Sequence, residues 1–294
     1  MSGSGRFAVL MSLATFGWVV APGAERGVPA ADDKVIILSA VDESGRAVND
    51  LTAADLRARE DGADVEIISA KLSTAPLFVE LLVDTTPGIE EFISEVRKAM
   101  SAFVRQVRAG NADAQISLME FGQAAVTTIP FTGDVAELDK GINKLFPKPR
   151  SGSVLLEALV EASNQLSRRQ SRRRAIVSLN MEPGDEQSRE EPKKINDGLK
   201  RSGAQLWAIS LQKGTNKHPQ RDVVLNTLSR QSGGSREFIV SSSAVETYLL
   251  KYADILTSQY ELTYKRPGNK PGTMVQVGTT RQGVKLHASL YAPE

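Results

Sequence analysis

Apolar and polar positions follow two different patterns between Pro76 and Leu256. Short, fully apolar runs such as "LFVELLVD" are typical of buried strands, and they alternate with segments in which apolar residues recur every three or four positions. After the first strand, apolar residues from Ile89 to Val107 mark one face of a long helix. Further strands are predicted at "AQISLMEF", "AVTTIPF", "RAIVSLN", "AQLWAISL" and "REFIV", and further helices at "VAELDKGINKLF", "SVLLEALVEASNQL", "EEPKKINDGLKRSG", "RDVVLNTLSRQSGG" and "AVETYLLKYADILTSQ". This order predicts an α/β fold, with a doubly wound, mainly parallel sheet that carries helices on both faces.

Segments rich in strand patterns flank this central region. Residues 31–75 contain an apolar strand, a "DESG" turn, a helical turn at "LTAADL" and two strand-like pieces joined at "EDG". Residues 257–294 return to strand patterns at "YELTYKR", "TMVQVGT" and "VKLHASLY". We therefore predict a small β-rich N-terminal unit at 31–75, an α/β domain at 76–256, and a C-terminal β extension at 257–294 that packs on the α/β domain.

The first 30 residues have the layout of a secretory signal peptide. Arg6 precedes an apolar run from Phe7 to Val20, and small residues and prolines follow that run. As a helix the run would be about 21 Å long, shorter than the ~30 Å hydrocarbon core of a bilayer. The pattern predicts cleavage after Ala24 or Ala30 and export to the periplasm, the cell surface or the medium. Membrane attachment is expected only if this segment stays uncleaved.

Composition narrows the chemistry that the chain can perform. Its 36 basic and 35 acidic residues leave a net charge of +1, which argues against nucleic acid as a partner. The absence of cysteine excludes disulfides, thiol catalysis and thiolate-bound zinc. The two histidines, His218 and His287, fall in different predicted elements, and the sequence has no nucleophile elbow and no phosphate-binding loop. We predict no catalytic residues, and we expect Trp207 to lie in the core.

Three loops are expected to meet at the carboxyl edge of the sheet, where ligands of open α/β sheets gather. Asp84 ends the first strand, Ser153 follows the "PRSG" loop, and "NMEPGDE" comes after the strand "RAIVSL". These features resemble a von Willebrand factor type A domain. The flanking phrases "DLTAADLRAREDG", "SQYELTYKRP" and "VKLHASLYAP" are similar to those of a secreted bacterial group of such proteins.

The resemblance implies a metal-ion-dependent adhesion site, in which Asp-x-Ser-x-Ser, a distal Thr and a distal Asp hold a divalent cation. Asp84, Thr86 and Ser153 keep oxygen atoms at three of these positions. Gly88 replaces the second Ser, and Met181 replaces the distal Asp. The implied site is therefore degenerate, with no cofactor or with Mg²⁺ bound only weakly. Three nearby residues could supply a further oxygen: Asn180, Glu182 and Asp185.

The same residues also have structural explanations. Asp84, Thr85 or Thr86 could cap the helix that follows the first strand, and Ser153 could be the N-cap of its own helix. A basic run lies between a helix end and a strand, where it could bind an anionic partner or a membrane surface, or simply solvate a loop and stabilise the helix C-terminus. Its members are Arg168, Arg169, Arg172, Arg173 and Arg174.

The leading functional hypothesis is an exported, non-enzymatic module that binds a protein partner at the carboxyl edge. Six residues are predicted to contact that partner: Asp84, Thr85, Ser151, Ser153, Glu182 and Asp185. One alternative is a structural module of an envelope assembly, which would dock through the "PRSGS" loop or the β tail. Another alternative is a hydrolase that uses Asp84, Glu182 or Asp185, since α/β folds host many chemistries.

Overall fold

A computed structural model describes residues 33–182, 185–212, 218–268 and 272–293. The predicted signal segment lies outside these residues. Within them, the strands are β1 Asp33–Val41, β2 Leu56–Glu60, β3 Ala63–Asp64, β4 Glu66–Leu72, β5 Leu77–Val83, β6 Gln115–Phe121, β7 Ala125–Thr132, β8 Arg173–Glu182, β9 Gln205–Gln212, β10 Ser235–Ile239, β11 Tyr260–Lys265, β12 Val275–Thr279 and β13 Lys285–Ala288.

The helices are α1 Ile93–Gly110, α2 Val135–Asn143, α3 Leu155–Ser167, α4 Pro192–Ser202, α5 Pro219–Asp222, α6 Ser229–Gln231 and α7 Ser243–Thr257. Two short 3-10 helices cover Ala53–Asp55 and Pro87–Phe92, and a π-helical turn at Val223–Leu228 joins α5 to α6. None of these helices is long and apolar enough to cross a membrane.

The central sheet has six strands in the order β10-β9-β8-β5-β6-β7. All neighbours are parallel except the hairpin of β6 and β7. Along β5, Val79, Leu81 and Val83 pack towards α1, whereas Leu82 packs towards α3 on the opposite face. The predicted α/β fold with helices on both faces of a mainly parallel sheet is confirmed, and Trp207 is fully buried as expected.

Two helical segments differ from their predicted pattern, one at its start and the other in its interior. The apolar face expected from Ile89 starts in a 3-10 helix, since Pro87 and Gly88 open it and α1 begins only at Ile93. The segment predicted as one helix at "RDVVLNTLSRQSGG" contains the π-helical turn, which keeps Val224 and Leu225 buried. Such turns widen a helix locally and are frequent at functional sites.

Strands from both flanking segments share one β layer beside the α/β domain. In the four-stranded sheet β13-β1-β11-β4, strand β1 lies between β11 and β13 and pairs with both of them. A second sheet, β12-β2-β3, joins β2 to β12 from the tail. Leu38, Leu262 and Tyr264 are fully buried between these sheets. The β layer is therefore a joint product of the two ends of the described chain.

One arginine of the basic run connects the β layer to the α/β domain. Arg173 is fully buried, and its guanidinium donates to the carbonyl oxygens of Ser73, Ala75 and Leu256 at 2.8–3.1 Å. It also donates to Gln259 Oε1 at 3.2 Å. Burial lowers its pKa to about 10. Because Arg173 is buried, it neither binds a surface partner nor solvates a loop. It does stabilise a helix C-terminus, but that of α7, through the carbonyl oxygens of Leu256 and Thr257, rather than that of α3 before the basic run.

Candidate functional site

Asp84 lies at the carboxyl end of β5 and is fully buried. Its Oδ1 accepts a hydrogen bond from the Thr86 backbone N–H at 3.0 Å, and its Oδ2 accepts one from the Met181 N–H at 3.2 Å. The first of these bonds closes a turn within the loop, so Asp84 does not cap α1, whose N-cap residue is Phe92. Both carboxylate oxygens are therefore engaged by the protein backbone.

Arg221 directs its guanidinium into this buried site. Its side chain is only 3% exposed, and Nη2 lies 3.6 Å from Asp84 Oδ2. Nη1 lies 3.1 Å from Glu186 Oε2, and Nε lies 3.9 Å from Glu182 Oε1. Nη2 also faces the Met181 carbonyl oxygen at 3.4 Å. One buried cation thus bridges carboxylates from the ends of two neighbouring strands.

A second arginine extends the ion-pair network to the edge of the sheet. Arg236 on β10 donates to Glu182 Oε1 at 2.5 Å and to Asp222 Oδ1 at 2.9 Å. Burial raises the pKa of Asp84, and the Arg221 guanidinium opposes that rise by favouring the carboxylate. Burial likewise raises the pKa of Glu186. Burying a carboxylate away from water costs free energy unless a cation lies nearby, so Arg221 and Arg236 stabilise this cluster.

The three predicted loops do meet at this edge. Ser153 forms a parallel bridge with Glu186, in which the Ser153 N–H donates to the Asp185 carbonyl at 2.6 Å. The Lys148 N–H donates to the Thr85 carbonyl at 2.7 Å, which joins the loop after α2 to the loop after β5. The hydroxyls of Thr85 and Ser153 are buried and have no hydrogen-bond partner among the described residues. Hydrogen bonds between backbone groups therefore connect these loops.

Comparison with known proteins identifies the domain that carries this site. The sequence profile of the von Willebrand factor type A domain matches residues 80–179, from β5 to β8. The chain carries a von Willebrand factor type A domain. No curated protein matches it.

Among solved structures, proximal thread matrix protein 1 from the mussel byssus is 13% identical with a TM-score of 0.51, covering 67% of this chain and 50% of that chain. A further structure of that mussel protein has a zinc-occupied MIDAS motif, the metal-ion-dependent adhesion site. BatB from Bacteroides thetaiotaomicron is 13% identical with a TM-score of 0.47, covering 61% of this chain and 98% of that chain. A von Willebrand factor type A protein from Catenulispora acidiphila is 11% identical with a TM-score of 0.48, covering 91% and 76%. At 13% identity, the likeness to the mussel protein concerns the fold alone.

The residues of this type A domain do not fit the divalent cation that the fold family implies. Gly88 offers no oxygen, and a Cβ added to it would lie 3.3 Å from Met181 Cβ, so the two altered positions pack against each other. Arg221 places a positive charge beside Asp84, where it would repel a dication. Among the described residues, no group of three or more acidic or histidine side chains is arranged to hold a metal ion.

The structure separates the six predicted partner-binding residues by exposure. Asp84, Thr85 and Ser153 are fully buried, and Glu182 is largely covered by Arg236, so a rigid partner would not reach these four side chains. Ser151 is partly exposed and Asp185 is exposed. Among the further oxygen donors considered, Asn180 is buried and donates to the carbonyl oxygens of Ser178 and Ile209.

The predicted N-cap role of Ser153 is wrong. The N-cap residue of α3 is Val154, and the Leu156 N–H in the first turn is bound by Ser188 Oγ at 3.0 Å. Ser188 lies in the loop after β8, which the Ser153–Glu186 bridge brings to the helix. A cap supplied from a distant loop leaves no signal in the local sequence.

Sequence reasoning missed Arg221, Arg236 and Glu186, although Arg221 left a detectable signal. It is the third residue of the continuous helical segment that begins at Pro219 and runs through the π-helical turn into α6, and the dipole of that segment disfavours a positive charge there. An arginine at that position in a helix that starts at the carboxyl edge indicates an acidic partner nearby. Here the partners are Asp84, Glu182 and Glu186.

Proposed function

We propose that this chain is an exported, non-enzymatic module that binds a protein partner at the carboxyl edge without a metal ion. Type A domains are generally non-enzymatic protein-interaction modules. We infer that partner binding needs no metal ion because the buried Arg221 guanidinium lies 3.6 Å from Asp84 and 3.1 Å from Glu186. A fixed cation here balances the acids that a divalent ion would otherwise balance.

A buried arginine also changes how a partner would bind. In the metal-dependent site that the fold family implies, an open position on the ion accepts a carboxylate of the partner. Arg221 is 3% exposed and already faces three protein carboxylates, so it offers no such open position. The partner therefore contacts the rim of the carboxyl edge rather than its centre.

The rim carries apolar side chains that favour protein contact. Phe146 is 60% exposed and lies in the loop that Lys148 joins to Thr85. Val240 is 84% exposed and directly follows the carboxyl end of β10, where Phe238 is half exposed. Exposed aromatic and aliphatic side chains among polar neighbours are typical of protein-binding surfaces. We assign the partner surface to this rim, together with Ser151 and Asp185.

Two further features support the proposal. The signal-like pattern of the first 30 residues supports export. The acids that a hydrolase would need at this edge, Asp84 and Glu182, are held in ion pairs with Arg221 and Arg236, which suits a structural role better than proton transfer to a substrate.

A photo-crosslinking residue placed at Val240 in the producing cells tests the proposal. We expect it to capture one specific protein to the same extent in EDTA and in Mg²⁺. A matched probe at Ile68, which is 48% exposed on β4, should not capture that protein. Capture only in the presence of Mg²⁺, or equal capture from both positions, would contradict a metal-free site on the rim.

A further inference from the structure

A two-lobed groove opens at the amino edge of the central sheet, opposite the site described above. One lobe is a cavity of about 310 Å³ and the other a cavity of about 760 Å³, and both are lined by Val35, Gln170 and Arg172. Residues of β1 and the C-terminal tail form part of the smaller lobe, and residues of the loop between α3 and β8 line both lobes. We call this feature the amino-edge groove.

The groove is strongly basic although the whole chain is nearly neutral. Six cationic side chains line it: Arg168, Arg169, Arg172, Arg174, Lys200 and Arg201. Glu261 is the one carboxylate among the described lining residues, and it accepts a hydrogen bond from Ser73 Oγ at 2.5 Å. With a net charge of only +1 for the chain, this surface concentrates positive charge locally.

None of these cations forms an ion pair with a described carboxylate, although Lys200 and Arg201 lie close enough to Asp197 to help lower its pKa. Arg174 donates to the carbonyl oxygens of Ser202 and Arg169, and Arg201 donates to Asn164 Oδ1 at 2.7 Å. Burial lowers the pKa of Arg174, and the neighbouring charge of Arg172 lowers it further. Arg168 and Arg172 are exposed at the groove, so their charges are available to a ligand. An anion here would relieve mutual repulsion of the cations.

The groove also contains an open strand edge. On one side of β1, Val41 pairs with Lys285 of β13. On the other side, Val41 bridges to Ala47, and the Ala40 carbonyl oxygen accepts a hydrogen bond from the Val48 N–H. Backbone groups alternate along a strand, so those of Val35 and Ile37 point to the β13 side. The pairing of β13 with β1 covers Leu38–Val41 and ends at Ala288, and the Leu290 N–H beyond it donates to Gln231 O. The edge at Val35 and Ile37 therefore has no strand partner among the described residues.

We propose that an extended acidic peptide segment of a partner binds in the amino-edge groove, adding as a short strand to the open edge of β1. Its backbone pairs with Val35 and Ile37, and its acidic side chains meet Arg172 and Lys200. Main-chain hydrogen bonds supply affinity in this mode, while side-chain contacts select the sequence. This is a second binding surface, and it does not depend on the proposed function of the carboxyl edge.

The shape of the groove favours a peptide over a membrane surface. A bilayer presents a flat array of headgroups, whereas this site is concave and includes apolar side chains such as Ile36, Pro76 and Phe78.

The test uses the full chain and a labelled peptide of alternating glutamate and valine, about seven residues long, the usual length of a strand. We expect saturable binding that weakens at least ~tenfold in the Arg172→Ala/Lys200→Ala variant, because charge-assisted contacts are lost. Lys98→Ala/Arg105→Ala makes the same change of net charge on α1 and should bind like the parent. Amide exchange at Val35 and Ile37 should slow when the peptide is bound.

Four outcomes would overturn the proposal. The first is equal binding by the groove variant and the α1 variant. The second is peptide binding without slower exchange at Val35 and Ile37, and the third is equal binding of a peptide with proline in place of its central valine. The fourth is groove-dependent binding to vesicles of anionic phospholipid, or to inorganic phosphate, with no binding of the peptide. None of these results depends on the rim at Val240, so failure here leaves the proposed function standing.

Discussion

The two edges of the central sheet use the same residue type in opposite ways. At the carboxyl edge, Arg221 and Arg236 are buried and lie within ion-pair distance of carboxylates. At the amino edge, Arg168 and Arg172 are exposed and lie beside further cations. A buried arginine that faces several carboxylates stabilises a site but has no exposed face left to bind a ligand. The role of each arginine therefore depends on the residues around it and not on its charge alone.

Arg173 adds a third case to this comparison. It is as buried as Arg221, yet its partners at the amino edge are carbonyl and amide oxygens rather than carboxylates. Neutral acceptors can therefore satisfy a buried guanidinium when enough of them converge. Adjacent members of one basic run, Arg172 and Arg173, consequently have different roles.

The largest effect is expected from breaking the carboxyl-edge network. Replacing Arg221 by Met leaves Asp84 and Glu186 buried without their shared cation, so the free energy of unfolding should fall by roughly 3–5 kcal/mol. Urea denaturation at neutral pH measures this change. Adding Asp84→Asn to the Arg221→Met variant should recover part of the loss, because one uncompensated charge is removed. A loss below about 1 kcal/mol, the range of surface pairs, would show that the network is not a buried ion-pair site.

The next effect compares two neighbouring arginines. Arg173→Met should lower the free energy of unfolding by roughly 2–4 kcal/mol, because several buried carbonyl oxygens lose their donor. Arg172→Met should change it by less than about 0.5 kcal/mol, as expected for an exposed side chain. Equal losses in thermal or urea unfolding would contradict the division of the basic run into a buried anchor and an exposed ligand site.

A third prediction concerns an acid that lies between the two edges and forms no ion pair with the described cations. Glu80 on β5 is fully buried, and burial raises its pKa to about 8, although the neighbouring Ser117 hydroxyl and the charge of Arg169 oppose that rise. The folded state keeps a proton that the unfolded state releases above its ordinary pKa of 4.5. Stability should therefore fall as pH rises from about 4.5 to 8.

Glu80→Gln should remove this slope and raise the free energy of unfolding at pH 8 by roughly 1–3 kcal/mol. Urea titrations at pH 5 and pH 8 check the sign, since the two proteins should differ more at the higher pH. A variant that is less stable than the parent at pH 8 would show that the carboxylate is stabilised in the folded state.

The smallest effect is expected from divalent cations. Calorimetric titration of the full chain with Mg²⁺, Mn²⁺ or Ca²⁺ should show no binding tighter than about 1 mM, the weak end of extracellular cation sites. Tight binding that Asp84→Ala removes would mean that Arg221 leaves the site to admit an ion. That result would also remove the contrast between a closed carboxyl edge and an open amino edge.

Local patterns were sufficient to predict the central sheet. Apolar runs such as "LFVELLVD" and helical periodicity are properties of contiguous residues, and the helix end at Gly203 is a local signal too, since this glycine adopts a φ of 63°. The convergence of three loops followed from the general rule for parallel sheets. The position of Asp84 at that edge could therefore be predicted before its partners were known.

Contacts between distant segments could not be predicted in the same way. Arg221 reaches Asp84 only because α5 starts beside the ends of β5 and β8, a fact of topology rather than of local sequence. The cap that Ser188 gives to α3 and the split of Arg172 from Arg173 are also set by tertiary neighbours. The pairing of β1 with β11 is of this kind, because many strand patterns are compatible with one another.

That pairing sets an order for the assembly of the protein during synthesis. Ile36 of β1 pairs with Leu262 of β11, and Ser39 pairs with His287 of β13. At a translation rate of about 5–20 residues per second, β1 waits roughly 10–45 s for β11 to be made. The parallel sheet can form in that interval, whereas the β layer closes only after β11 and β13 have left the ribosome. Strand β1, the first described strand to be synthesised, is therefore among the last to complete its pairing.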